Sequence, residues 1–187
     1  DVDRSLIIGH KDELLQPLQL CYRSLLDSNL PEIANGKLLD FICRVNCFGL
    51  ELLKLDIRQE SGRHRQAISA ITEYLGLGNF ETWTEQARQN FLLQELQSKR
   101  PLLPKHLNEP TGSLIDHPDV QEVVATMRTV AEQPKECLGA NISSMAEYAS
   151  DVLAVLLLQK EAGIEHPLRV VRIFETLKDV DSAASTM

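Results

Sequence analysis

No stretch of this 187-residue chain is long and apolar enough to span a bilayer, which takes about 20 consecutive apolar residues. No secretory signal pattern opens it. Positive charge is also short. Lys and Arg number 19 against 27 Asp and Glu, a net charge of −8, so the clustered basic surface of a nucleic-acid binder is excluded. Four cysteines, Cys21, Cys43, Cys47 and Cys137, do not make a disulfide scaffold at this length, and a cytoplasmic setting is expected. There is no Gly-rich phosphate fingerprint and no Gly-x-Ser-x-Gly elbow. Cys43 and Cys47 stand four apart, but no His or further Cys pair completes a zinc motif. Buried apolar thiols are therefore expected there. His10, His106, His117 and His166 are scattered near predicted loops or termini without companions. No internal repeat is visible.

What is present is ordinary globular composition, 43% hydrophobic and 25% charged, in a chain long enough for a substantial core. The ends read as cuts through helical sequence, at Asp1 and again after Lys178-Asp-Val-Asp. A piece of a longer protein is expected.

Residues 1–47 are expected to form a helical lead-in, and residues 48–187 strands with intervening helices. Leu14, Leu15, Leu18, Cys21, Tyr22 and Leu25 recur at helix spacing, with Pro17 near the first turn or at a kink. A helix from about Lys37 to Cys47 ends at Gly49, its expected C-cap. The apolar run Phe48 to Ile57 reads as a buried strand that delivers Arg58 at its end. Ser61 opens a helix that stops at Gly76, and Thr82-Trp-Thr-Glu85 has capping-box spacing before the next helix. Residues 100–118 are Pro-rich and predict a long loop. Pro118 starts a helix to about Gln133. Leu138 to Met145, Ser150 to Ala162 and Leu168 to Phe174 then read as strand, helix and strand, a βαβ unit with parallel strands. Ser150 is the expected cap of that helix, with Asp151 at its positive end. The class is α/β with predominant helix. Three parallel strands leave two unpaired edges, which a section of a larger (β/α)8 TIM-type barrel with extra helices would explain.

The strand ends place Arg58, Ser143-Ser144-Met145 and Glu175 together, where parallel folds bind ligands. Arg58 suits a bidentate clamp on a phosphate or carboxylate; an ion pair with Asp56, Glu60 or a neighbouring helix is equally open. Glu175 suits Mg²⁺ or Mn²⁺, which prefer oxygen ligands; its alternative role is an acid at a helix N-terminus. Arg63, His64 and Arg65 follow on the helix after the first strand and are expected to be solvated charge.

Taken in order, several segments resemble phosphoenolpyruvate carboxylase. They include Leu20-Cys-Tyr-Arg-Ser24, Leu55-Asp-Ile-Arg-Gln-Glu-Ser61, Ile71-Thr-Glu-Tyr-Leu-Gly76, Lys99-Arg-Pro-Leu102, Ser150-Asp-Val-Leu-Ala-Val155 and Phe174-Glu-Thr-Leu177. The likeness covers nearly the whole chain, as an interior section of the enzyme. It implies a (β/α)8 barrel, assembled as a homotetramer, that condenses phosphoenolpyruvate with bicarbonate, using Mg²⁺ or Mn²⁺, to give oxaloacetate and phosphate. It implies that Arg58 grips the substrate phosphate and that Glu175 is one of two metal-binding carboxylates. By the same likeness, the catalytic histidine lies upstream. The second carboxylate, a Gly-rich basic loop and further phosphate-binding arginines lie downstream, so this section alone is expected to be inactive. Arg172 stands where the family usually has proline, and the stretch Asn108 to Pro118 is longer than in many relatives. Two other readings are a non-catalytic helical interaction module, with Arg58 and Glu175 as a structural ion pair, and another metal-dependent barrel enzyme acting on a phosphorylated keto acid.

Overall fold

The computed structural model describes residues 7–102, 118–175, 177, 180, 181 and 183. Most of the predicted 100–118 loop, with His106, and His117 therefore lie outside the described residues. The chain divides into two compact units, Asp1–Lys54 and Leu55–Met187.

The first unit is helical. Helix α1, Lys11–Asp27, carries Pro17 in its interior. A short α2, Pro31–Ile33, runs through a π segment kinked at Gly36 into α3, Leu39–Phe48. Leu15, Ile42 and Val45 form its small core, with Leu14, Leu18, Tyr22 and Leu38 packed around them. Gly49 closes α3 at φ 63°, a left-handed backbone that glycine adopts readily. The expected strand does not begin here. Leu52 also turns left-handed, at φ 66°, and Phe48, Leu52 and Leu53 are exposed. Extended pairing cannot run through two left-handed residues, so residues 49–53 are a turn; the strand starts only at Leu55, which is itself exposed rather than buried. Cys43 and Cys47 differ from expectation too: both are exposed, because the inward face of α3 is taken by Ile42 and Val45.

The second unit begins with β1, Leu55–Glu60. Helix α4, Ser61–Tyr74, follows, then α5, Glu85–Gln97, and α6, Pro118–Glu132. Strand β2, Leu138–Ser144, helix α7, Ala149–Glu161, and β3, Val170–Arg172, complete it. The described residues beyond β3, Leu177, Val180, Asp181 and Ala183, are helical. The three strands are parallel, in the order β1-β2-β3, as expected for strands joined by helical crossovers. The arrangement is mostly helical α/β with a small parallel sheet.

Its core joins α4, α5, α6 and α7 through Ile68, Ile71, Leu92, Val123, Met127, Leu157 and Leu158. Phe80, Trp83 and Phe91 stack beside it with centroids 5.4–6.3 Å apart, in the tilted geometries aromatic rings favour. Two caps differ from expectation. Thr84, not Thr82, caps α5 by accepting from the Ala87 amide. Helix α7 begins before Ser150, and the Asp151 carboxylate reaches back to accept from the Glu147 and Tyr148 amides.

Two close fits tie strands to their surroundings. The Asp56 Oδ1 accepts from the Ala140 amide at 2.7 Å, and a Cβ on Gly139 would meet that oxygen at 2.1 Å, so only glycine leaves room for the bond. The buried Gln159 side chain brackets Leu168, donating to its carbonyl and accepting from its amide at 2.6 Å. Gln159→Leu leaves both backbone groups buried and unpaired. We expect it to destabilise the fold by ~2 kcal/mol, read as a lower urea midpoint with an unchanged slope.

Candidate functional site

Parallel register fixes where the candidate residues stand. Arg58 pairs with Ile142, and Ile142 with Val171. Partners in register share a sheet face, as do residues two apart along each strand. Arg58 is thus the fourth residue of β1 rather than the first residue beyond it, and its face of the sheet also holds Ile142, Ser144 and Val171. The opposite face, with Ile57 and Val170, packs onto the helices.

Glu175 follows β3 by three residues. Its Oε1 accepts from the Arg58 Nη2 at 2.7 Å, with side chains 60% (Arg58) and 34% (Glu175) exposed. The two side chains singled out in the sequence therefore meet across the carboxyl end of β2, although 117 positions separate them. The pair is a charge-assisted bond between a planar fork of donors and a hard oxygen acceptor. In it, Glu175 stands where an oxyanion bound to Arg58 would stand, and Arg58 stands where a cation bound to Glu175 would stand. Its exposure limits its worth as a structural fastening to about 1 kcal/mol or less.

One partly exposed carboxylate fits one position in the shell of Mg²⁺ or Mn²⁺, ions that commonly take one or two protein carboxylates and complete their shell with water and substrate phosphate. Among the described residues, no group of three or more His, Cys, Asp or Glu could hold a metal alone. Arg172, three residues before Glu175 in sequence, has its guanidinium over the Phe174 ring at 4.7 Å. Its Nε and Nη1 are buried without a hydrogen-bond partner among the described residues.

Helix α4 departs most from expectation. Arg63 is paired with Glu122 at 3.0 Å and lies 3.6 Å from Asp119, and Arg65 reaches Asp151 at 3.4 Å. His64 is fully buried. Its Nε2 donates to the Gln59 Oε1 at 3.1 Å, on the helix-facing side of β1. Burial lowers its pKa from 6.5 to about 4. The unfolded chain then binds a proton at His64 before the folded one does, so this contribution to stability is complete above pH 6.5 and is lost as the pH falls towards 4. We expect His64→Gln to flatten the acid side of the stability profile between those values, measured by urea unfolding at fixed pH steps. Ser61, also buried, donates through its hydroxyl to the Met145 carbonyl at 2.7 Å. Helix position was the available signal for both: α4 turns His64 and Ser61 inward while Arg63 and Arg65 flank them.

The family profile described as Phosphoenolpyruvate carboxylase matches residues 2–187. The chain belongs to the phosphoenolpyruvate carboxylase family. It is 83% identical, over its full length, to a phosphoenolpyruvate carboxylase of Acinetobacter baumannii. It is 51% identical over 99% of its length to one from Shewanella loihica, and 47% identical over its full length to a C4 phosphoenolpyruvate carboxylase of Flaveria trinervia. The chain spans about a fifth of the length of these relatives (21%, 20% and 19%). Arg58 and Glu175 both fall within the matched residues.

Proposed function

We propose that this section supplies part of the substrate and metal site of an intact phosphoenolpyruvate carboxylase, which carboxylates phosphoenolpyruvate with bicarbonate to give oxaloacetate and phosphate. The observation that carries it is the 2.7 Å meeting of Arg58 and Glu175 at the carboxyl end of a parallel sheet, where such folds place ligands. A solvated pair of this kind contributes little stability, so it is better explained by what each partner binds than by what the pair fastens.

In the reaction, a bicarbonate oxygen attacks the phosphorus and the bond from phosphorus to the enol oxygen breaks. Carboxyphosphate and the enolate of pyruvate result. Carboxyphosphate then releases phosphate and carbon dioxide, and the enolate carbon adds to the carbon dioxide. Arg58 holds the transferring phosphoryl group with two parallel N–H donors and stabilises the charge that develops on its oxygens. Glu175 contributes one oxygen to the Mg²⁺ or Mn²⁺ site. The ion, when bound, supplies positive charge for the enolate oxygen.

The three strands stand in sequential order, and helices α4, α5, α6 and α7 pack beside them, which supports a section of a (β/α)8 barrel. The outer edges of β1 and β3 carry no partner strand among the described residues; neighbouring strands of a closed barrel would cover them. A cytoplasmic homotetramer is the assembly we infer from the family likeness, and this section alone is inactive. No described helix is long and apolar enough to cross a membrane. The function is tested by following oxaloacetate in the intact parent protein while phosphoenolpyruvate, bicarbonate and Mg²⁺ are omitted in turn. Product that requires all three supports it. No product from the folded parent overturns it.

A further inference from the structure

The ladder that holds β3 stops short of Glu175. Strand β3 ends at Arg172, and one further backbone bond runs from the Ile173 amide to the Ser143 carbonyl at 3.2 Å. Phe174 and Glu175 lie beyond it, yet the Glu175 carboxylate meets Arg58 at 2.7 Å. An exposed ion pair is too weak to fix a backbone by itself.

Alternation along extended chain supplies the direction. Arg172 is in register with Ser143, and Ser143 with Gln59, so all three share the helix-facing side of the sheet. Ser143 is fully buried there, and the Gln59 Oε1 is bonded to the buried His64. Phe174, two residues past Arg172, falls on the same side, and the Arg172 guanidinium lies over its ring at 4.7 Å. Ile173 and Glu175 alternate to the other side, the one that carries Arg58. Whatever holds Phe174 on its side therefore holds Glu175 on Arg58's side.

Arg172 is suited to that task. Its Nε and Nη1 are buried with no hydrogen-bond partner among the described residues, which costs stability. Cation–π attraction to the Phe174 ring offsets part of this cost. A buried polar group kept at the expense of the fold calls for a role of its own, and the contact with Phe174 supplies one.

We propose that Arg172 is a positioning residue for the metal site: stacked on Phe174, it holds the segment after β3 so that the Glu175 carboxylate is presented on Arg58's side of the sheet. This rests on the metal role given to Glu175 under Proposed function. The test uses the intact parent protein and Mn²⁺ alone, with the free ion followed by electron paramagnetic resonance and the melting temperature measured on the same preparation.

Arg172→Met keeps an unbranched stem and removes the charge and both unpartnered donors. It is expected to melt close to the wild-type temperature and to bind Mn²⁺ ~10-fold more weakly, the scale of losing a group that orients a metal ligand. Phe174→Leu removes the ring and weakens Mn²⁺ binding to the same extent. Because both act through one contact, the double variant binds no more weakly than either alone, whereas independent effects would multiply to ~100-fold. Arg172→Lys keeps a cation over the ring and retains most of the affinity.

If Glu175→Ala weakens Mn²⁺ binding and Arg172→Met does not, the positioning role is wrong and the metal reading stands. If Glu175→Ala leaves Mn²⁺ binding unchanged, the metal reading and the positioning role fall together. Multiplied losses in the double variant would also overturn the proposal, since the stack would not be the link. Should Arg172→Met fail to fold, Phe174→Leu carries the same prediction, and unchanged Mn²⁺ affinity in it overturns the proposal equally.

Discussion

Arg58→Lys in the intact enzyme is expected to lower kcat/KM ~100-fold, the scale of losing one preorganised donor to a charge that develops in the transition state. The substitution keeps the charge and most of the stem, so electrostatic attraction to phosphate survives. What it removes is the planar fork, and a lysine ammonium presents its donors from a point rather than in parallel. The proposed clamp depends on that fork. Arg58 stands on a strand, with a neighbouring strand in register at Ile142, so the backbone cannot shift to let a shorter donor set reach the same oxygens. Because charge and most of the stem are kept, the change should leave the melting temperature nearly untouched. Kinetics and melting measured on the same preparation separate the two effects. Near-normal kcat/KM in a folded Arg58→Lys enzyme would sink the clamp.

Removal of Glu175 is expected to act more strongly. Glu175→Ala takes away a charged oxygen ligand, and positive charge at a developing enolate is worth several kcal/mol, so turnover at fixed metal should fall ~1,000-fold. Mn²⁺ affinity, followed by electron paramagnetic resonance of the free ion, should weaken in parallel. The two readouts guard against a different explanation. If Glu175 served only to hold Arg58, its loss would leave Mn²⁺ affinity unchanged and alter phosphoenolpyruvate affinity alone. Unchanged Mn²⁺ binding in Glu175→Ala would therefore contradict the ligand assignment even if activity fell.

Much of this site was legible in the sequence, and the gaps have physical causes. Strand-end placement of an Arg and a Glu predicted that both would reach the same edge of the sheet. It could not show that they touch, because a contact across 117 positions depends on the order of strands between them. Hydrophobicity misplaced the start of β1. An apolar run shows that a segment favours burial, but it does not fix φ, and the left-handed backbone at Gly49 and Leu52 makes residues 49–53 a turn. Cys43 and Cys47 followed the same logic and proved exposed, since the buried stripe of α3 belongs to its neighbours Ile42 and Val45.

His64 was misread for a related reason. Flanked by Arg63 and Arg65, it looks solvated in a linear view, but successive helical residues point about 100° apart. The two arginines find carboxylates on either side while the imidazole turns into the core. Some helix boundaries were clearer. Ser61, Gly76 and Pro118 mark boundaries whose chemistry is local. The cap of α5 at Thr84 rather than Thr82 shows the limit, since two threonines only two residues apart both precede the helix and only the backbone decides between them.

The measurement that tests the central claim most directly is a crystal structure of the intact parent protein with Mn²⁺ and phosphoenolpyruvate, using the anomalous signal of manganese. The predicted result is manganese on the Glu175 carboxylate and the substrate phosphate on the Arg58 guanidinium, with the ion pair between them opened. Manganese and phosphate bound elsewhere, with Arg58 and Glu175 still paired at 2.7 Å, would contradict the account and leave the pair as a structural contact.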